Sequence, residues 1–387
     1  MGFVSGFADP AFDELRDAMV DNLRAEGDDP GDLGAALTVY VGGRKVADLV
    51  SGWTSDSRDT AWTPDTLVNA YSTMKPVAAV LALRVVAEGL MGLDDPIASC
   101  WPEFAAHGKE TITLRQALCH TAGLAAVGPV LHVPDLYRWD TMTAALASTP
   151  PWWPPGTAPG YHTNTFGFLI GEPVSRLTGL DFSTAVRRLS DAFELDMHCG
   201  LGVSELPRVA DVDVAHASLP IDLDSAYPIS DERSVLLRHA YANPPNISGV
   251  GVLNSQEWRM CCVPSTNGHT TARGLARFYS TLLPGAHRCP LPTELLAEAR
   301  TEASAGTDVI LERPIRFGLG FQLHMDDRPI GLTDSAFGHF GYGGSLGFAD
   351  PGADVAFGYL TNRPGKRWQN VRVRRLVNTL ASALGTG

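Results

Sequence analysis

Apolar residues recur at helical spacing near the start of the chain, at Phe12, Leu15, Met19 and Leu23. Asp9 is placed to cap that helix, Pro10 suits its first turn and Gly27 ends it. The period then changes. Residues 35–41 and 45–50 are strand-like runs on either side of Gly42-Gly43, which predicts a hairpin. From about Ser72 to Gly89 the chain is apolar nearly all round, the mark of a helix enclosed at the centre of a fold. Residues 94–240 mix helical stretches with loops, and the run 150–156, Pro-Pro-Trp-Trp-Pro-Pro-Gly, cannot be regular. Residues 241–270, rich in Gly, Pro, Asn and Ser, read as a long excursion. Helix resumes near 271–283, strand-like runs return at 316–323 and 353–361, and a final amphipathic helix covers about 366–384. Strands at both ends with helices between them predict an α/β (α+β) chain. Its sheet domain comprises 1–75 plus 271–387, and a mostly helical inserted domain comprises 76–270.

Composition narrows the partners. The net charge of −13 on 387 residues argues against nucleic acid and anionic membrane surfaces. No run of 18 apolar residues predicts membrane insertion, and residues 1–6 lack the basic and apolar regions of a signal peptide. The six cysteines are scattered and form no CxxC, which excludes zinc ribbons and thioredoxin-type centres, and idle thiols fit a reducing, cytoplasmic setting. The histidines show no HxxxH spacing, so no metal is expected.

Lysine usage points to the chemistry. Only four of the 30 basic residues are lysine: Lys45, Lys75, Lys109 and Lys366. Arginine cannot lose its proton in a protein, whereas a desolvated lysine can. Lys75 lies in the apolar helix and alone has serine three residues before it, in Tyr71-Ser72-Thr73-Met74-Lys75. That spacing puts the Ser72 hydroxyl and the Lys75 amine on one helical face, the equipment of an activated serine. The same two residues would also suit a helix cap and a snorkelling lysine. Tyr161-His162-Thr163 follows the proline-rich run; a phenol beside cations can have its pKa lowered and shuttle a proton. Gly338-His339-Phe340-Gly341-Tyr342-Gly343-Gly344-Ser345 offers backbone N–H groups at close approach, or simply a tight hairpin. Within it Gly343-Gly344-Ser345-Leu346-Gly347 reads G-x-S-x-G, but every histidine precedes Ser345 and no helix signal follows, so the nucleophile elbow of α/β-hydrolases is excluded.

Together these elements resemble the serine β-lactamase/penicillin-binding-protein superfamily, and within it the family VIII carboxylesterases. Leu118-Cys119-His120-Thr121-Ala122-Gly123-Leu124 resembles that family's L-x-H-T-[SA]-G-L, and Leu93-Asp94-Asp95-Pro96 its L-D-D-P. Tyr161–Gly167 resembles the tyrosine motif of one esterase subgroup, and His339-Phe340-Gly341 stands where the family has K-T-G or H-x-G. The resemblance covers about residues 10 to 385 and implies a β-lactamase/transpeptidase-like fold, an antiparallel sheet flanked by helices, with loops of the inserted domain over the active site.

The resemblance further implies acyl transfer through an acyl-enzyme on Ser72, with Lys75 and Tyr161 as base and acid and the amides of Ser72 and Tyr342 as oxyanion hole. It makes the His339 segment an edge strand beside the site, and it requires no cofactor and no metal. Two departures bear on substrate: Thr163 replaces the asparagine of Y-x-N, and His339 replaces the cation that meets a β-lactam carboxylate. A neutral His339 predicts uncharged small-molecule esters, with Trp152, Trp153, Phe166 and Tyr342 lining an apolar pocket beside Phe340 and Gly341. His162 and His120 read as structural neighbours. An acyltransferase, or an amide-, peptide- or lactam-cleaving enzyme, would use the same residues. The oligomeric state is left open.

Overall fold

The alternation at 35–41 has a direct structural consequence: Ala35, Leu37 and Val39 enter one core while Ala36 enters another on the opposite face of a sheet. The structure is a computed structural model and describes residues 3–216, 228–365 and 369–385. Within these residues twelve strands form two sheets. They are β1 (Val4–Ala8), β2 (Gly34–Val41), β3 (Arg44–Gly52), β4 (Val68–Asn69), β5 (Met197–Cys199), β6 (Gly268–Thr270), β7 (Ser304–Thr307), β8 (Pro314–Phe317), β9 (Gln322–Leu323), β10 (Phe337–Phe340), β11 (Leu346–Asp350) and β12 (Val355–Thr361). The larger sheet runs β1-β3-β2-β12-β11-β10-β9-β8-β7, and its pairings are antiparallel.

One face of this sheet buries Phe348, Phe357 and Tyr359 against Leu15 and Met19 of helix Glu14–Asn22 and Leu376 and Leu380 of helix Val371–Leu384. The other face carries helix Ala272–Ser280. Gly347 and Gly358 are register partners directly beneath that helix. A Cβ on Gly347 would lie 2.4 Å from Tyr279 Cε2, and one on Gly358 would lie 2.7 Å from the Ala272 carbonyl oxygen, so only glycine lets the helix come so close. The second glycine of the G-x-S-x-G string is therefore a packing device.

Helix Lys75–Ala87 occupies the centre of the helical region, buried on nearly every side as its unbroken apolarity predicts. Helices Phe166–Thr178 and Phe182–Phe193 share its core. The small sheet β4-β6-β5 ties the segment before Ser72 to the 241–270 excursion, a pairing of two- and three-residue strands too short to leave a sequence period.

Three expectations are corrected. The strand-like run 316–323 is two short strands broken by a turn in which Gly320 takes φ +82°. The His339 segment is not at an edge, because β9, β8 and β7 continue the sheet beyond β10. The cysteines are not all scattered, since Cys199 Sγ lies 3.1 Å from Cys262 Sγ. The start of the final helix was expected at Lys366, which lies outside the described residues; the described helix begins at Val371, with the Asn370 side chain accepting the Val373 N–H. Among the described residues no helix is long and apolar enough to cross a membrane.

Candidate active site

Ser72 sits in a 3₁₀ turn, Tyr71–Met74, that runs straight into helix Lys75–Ala87. Pro76 fits the start of that helix, where its missing N–H costs no hydrogen bond. The turn is tethered by the Ala70 N–H, which donates to the Gly268 carbonyl at 2.8 Å. Tyr71 is held at φ +51°, a left-handed conformation that costs a side-chain-bearing residue about 1–3 kcal/mol. Its buried ring packs edge-on against Tyr342 at 5.3 Å, which supplies the packing to hold it there.

Lys75 is fully buried, with Nζ 2.9 Å from Ser72 Oγ, 2.8 Å from the Thr163 carbonyl and 3.2 Å from the Ser265 carbonyl. An ammonium donates to all three oxygens. A neutral amine keeps two N–H groups for the two carbonyls and turns its lone pair to the Ser72 hydroxyl. Burial holds the Lys75 pKa well below the usual lysine range. Lys109 provides the contrast. It too is buried and donates to three carbonyls, of Ala106, Ala147 and Thr149, but it faces no nucleophile.

Tyr161 is buried, its ring centroid 4.9 Å from Lys75 Nζ, and its hydroxyl is hydrogen-bonded to Ser72. The expected lowering of its pKa is corrected: desolvation dominates and pushes the phenol up, with the Ser72 hydrogen bond pulling less strongly the other way. Burial thus favours the protonated phenol. Its hydroxyl also lies 3.5 Å from His339 Nε2. His339 Nδ1 is 2.6 Å from the Phe340 carbonyl, so that nitrogen carries the proton and Nε2 is the acceptor. Burial, with the Lys75 charge second, lowers the His339 pKa to about 3, and the ring is neutral.

Gly341 follows β10 at the point where it meets the nucleophile turn: a Cβ there would lie 2.8 Å from the Ala70 carbonyl oxygen and 3.1 Å from Thr73 Cγ2. Tyr342 then opens a 3₁₀ turn, Tyr342–Gly344. Ser72, Thr163 and Tyr342 keep partial exposure while Lys75, Tyr161 and His339 are buried, so these three residues form the rim of the site.

Two of the other expected pocket residues, Phe340 and Phe166, lie in the core. Phe340 alternates to the opposite face of the sheet and enters the core beneath helix Val371–Leu384. Phe166 has no exposed surface and packs on His120 at 4.8 Å, inside the core. Trp152 and Trp153 are half-buried under their loop, and their indole N–H groups donate to the carbonyls of Ala126 and Ala158, each at 3.0 Å. His162 is structural as expected: Nδ1 is 2.6 Å from the Gly160 carbonyl and Nε2 accepts the Leu124 N–H. His120 Nδ1 accepts the His162 N–H at 3.1 Å.

Two residues at the site left no trace in the sequence reading. Ser265 supplies the carbonyl on Lys75, and its Oγ accepts the Gly167 N–H at 2.7 Å. Asp308 accepts the Tyr161 N–H through Oδ2 and the Ile310 and Leu311 N–H groups through Oδ1. Both belong to loops, where no hydrophobic period singles out a residue. Among the described residues one group of possible metal ligands occurs, His324, Asp326 and Asp334, with both aspartates exposed.

The profile of the Beta-lactamase family matches residues 17–380. The chain is 30% identical to the Esterase/beta-lactamase LipL of Mycobacterium tuberculosis, over 85% of this chain and 77% of that protein. A penicillin-binding protein homologue from Caulobacter crescentus superposes with a TM-score of 0.86 at 33% identity, covering 98% of this chain and 99% of that one. A family VIII carboxylesterase also superposes at 0.86, with 31% identity and the same coverage. By its sequence, its antiparallel sheet and its central helix, the chain belongs to the beta-lactamase family.

Proposed function

We propose that the protein is a serine hydrolase of carboxylic esters, working through an acyl-enzyme on Ser72. The observation that carries this reading is the 2.9 Å contact between Ser72 Oγ and a buried Lys75 amine whose other two partners are carbonyl oxygens. Neutral Lys75 takes the Ser72 proton as Oγ attacks the ester carbonyl. The N–H groups of Ser72 and Tyr342 receive the oxyanion, each typically contributing about 3 kcal/mol. Tyr161 donates its proton to the leaving alkoxide and is reprotonated from Lys75. Water then attacks the acyl carbonyl with its proton passing to the same pair, which returns Ser72 to its starting state.

Two features support uncharged esters. Neutral His339 stands where a cation would meet a carboxylate, and the rim residues Thr163 and Tyr342 carry no charge. The esterases named among the relatives support ester hydrolysis. We further propose that the chain divides into a sheet domain of 1–75 plus 271–387 and an inserted domain of 76–270. Hydrolysis of short p-nitrophenyl esters, with little turnover of a chromogenic cephalosporin, tests the function. The reading fails if Ser72→Ala retains full ester turnover or if a fluorophosphonate labels a peptide lacking Ser72.

A further inference from the structure

A separate cavity of about 560 Å³ lies along β8, β9 and β10, and its lining includes none of Ser72, Lys75, Tyr161, His339 and Tyr342. His339 turns toward Tyr161 and Phe340 turns to the far face, while Ile315 and Phe317 of the lining pack against Tyr161. That volume is in the range of sites for small organic ligands.

The lining is unusual for a chain of net charge −13. Four arginines line it, Arg313, Arg316, Arg328 and Arg374, beside the apolar side chains of Pro314 and Met325, which keep exposed surface. Among the described residues their acidic partners are fewer. Arg316 pairs with Glu302 at 2.7 Å, Arg328 with Asp327 at 3.2 Å, and Arg313 feels Tyr161 and then Asp308. Arg374 donates to the neutral Gln369 side chain at 3.4 Å. Arg328 is close enough for its charge to oppose that of Arg313, and burial opposes the Arg313 charge still more. An anion entering here would relieve that repulsion, and guanidinium groups match the planar oxygens of an oxyanion. Apolar walls beside the cations suit a chain attached to the headgroup.

We propose that this cavity binds a small amphiphilic anion, its carboxylate, sulfate or phosphate headgroup on the arginines and its alkyl chain against Pro314 and Met325. The site does not depend on the ester-hydrolase reading, because it shares no residue with that machinery.

Calorimetric titration of the full chain with decanoate, decyl sulfate and decyl phosphate tests it, with decanol and acetate as controls. Saturable one-to-one binding of at least one decyl anion is expected, with decanol and acetate weaker by about tenfold or more. The ranking of the three anions identifies the headgroup. Arg328→Ala with Arg374→Ala should weaken the bound anion by about tenfold or more and leave ester turnover unchanged. Arg328→Lys with Arg374→Lys keeps the charges and should recover most of the loss, which separates lost recognition from a damaged fold. Decanol binding as tightly as the decyl anions, no saturable binding up to about 5 mM, or equal affinity in the alanine variant would each overturn the proposal.

Discussion

Asp308 Oδ2 holds the backbone N–H of Tyr161 at 2.7 Å, joining two loop residues 147 positions apart. Asp308 is almost fully buried, and desolvation raises its pKa to about 6 even though three backbone N–H groups favour the ionised form. Asp308→Asn replaces one acceptor oxygen with a donor, which sets an N–H against an N–H. We expect a loss of about 1–3 kcal/mol in stability and a lower kcat in ester hydrolysis, measured by thermal denaturation and steady-state kinetics. Unchanged kcat in a folded variant would show that Tyr161 is held by other contacts.

The same residue predicts a slope in stability with pH. A carboxyl whose folded pKa lies above its unfolded value binds its proton more tightly in the native state. Its contribution therefore favours folding at low pH and declines as pH rises from about 4 to about 6. The denaturation midpoint of Asp308→Asn, compared with the parent chain across that window, should show the decline reduced. Parallel curves would refute the assignment.

Lys75→Arg keeps a cation at the centre of the site and removes the proton that can be lost. Ester turnover should fall by about 10²–10⁴-fold, the usual contribution of a positioned base. Rates near those of the parent chain would exclude lysine as the base.

The rate of ester cleavage should rise with pH as Lys75, its pKa depressed by burial, gives up its proton. The rate should then hold level, because Tyr161 is raised above the ordinary phenol range. His339 and His162, lowered to about 3 and about 4, are neutral across the neutral range and should add no limb there. A kcat/KM profile with a descending limb near neutrality would contradict this scheme.

Gly347→Ala tests the packing of helix Ala272–Ser280 against the sheet. Tyr279 and Leu275 would have to move away from the new methyl group, at a cost of about 1–3 kcal/mol. Denaturant titration reads that cost directly, and a neutral result would mean the helix can shift.

Much of this protein follows from local rules. The apolar run after Ser72 had to be a central helix, and a serine one helical turn from its lysine had to share a face with it. The hairpin about Gly42-Gly43 and strand β12 follow from the same kind of pattern. Tertiary structure decided the rest. It placed Thr163, Ser265 and Asp308 around Lys75 and Tyr161 from loops that carry no period. It also put Phe340 and Phe166 in the core, away from the rim. Dehydration shifts the proton equilibria, pushing the Tyr161 phenol up and the Lys75 amine down. Dehydration is a property of everything packed around a group, so neighbours along the chain cannot specify it.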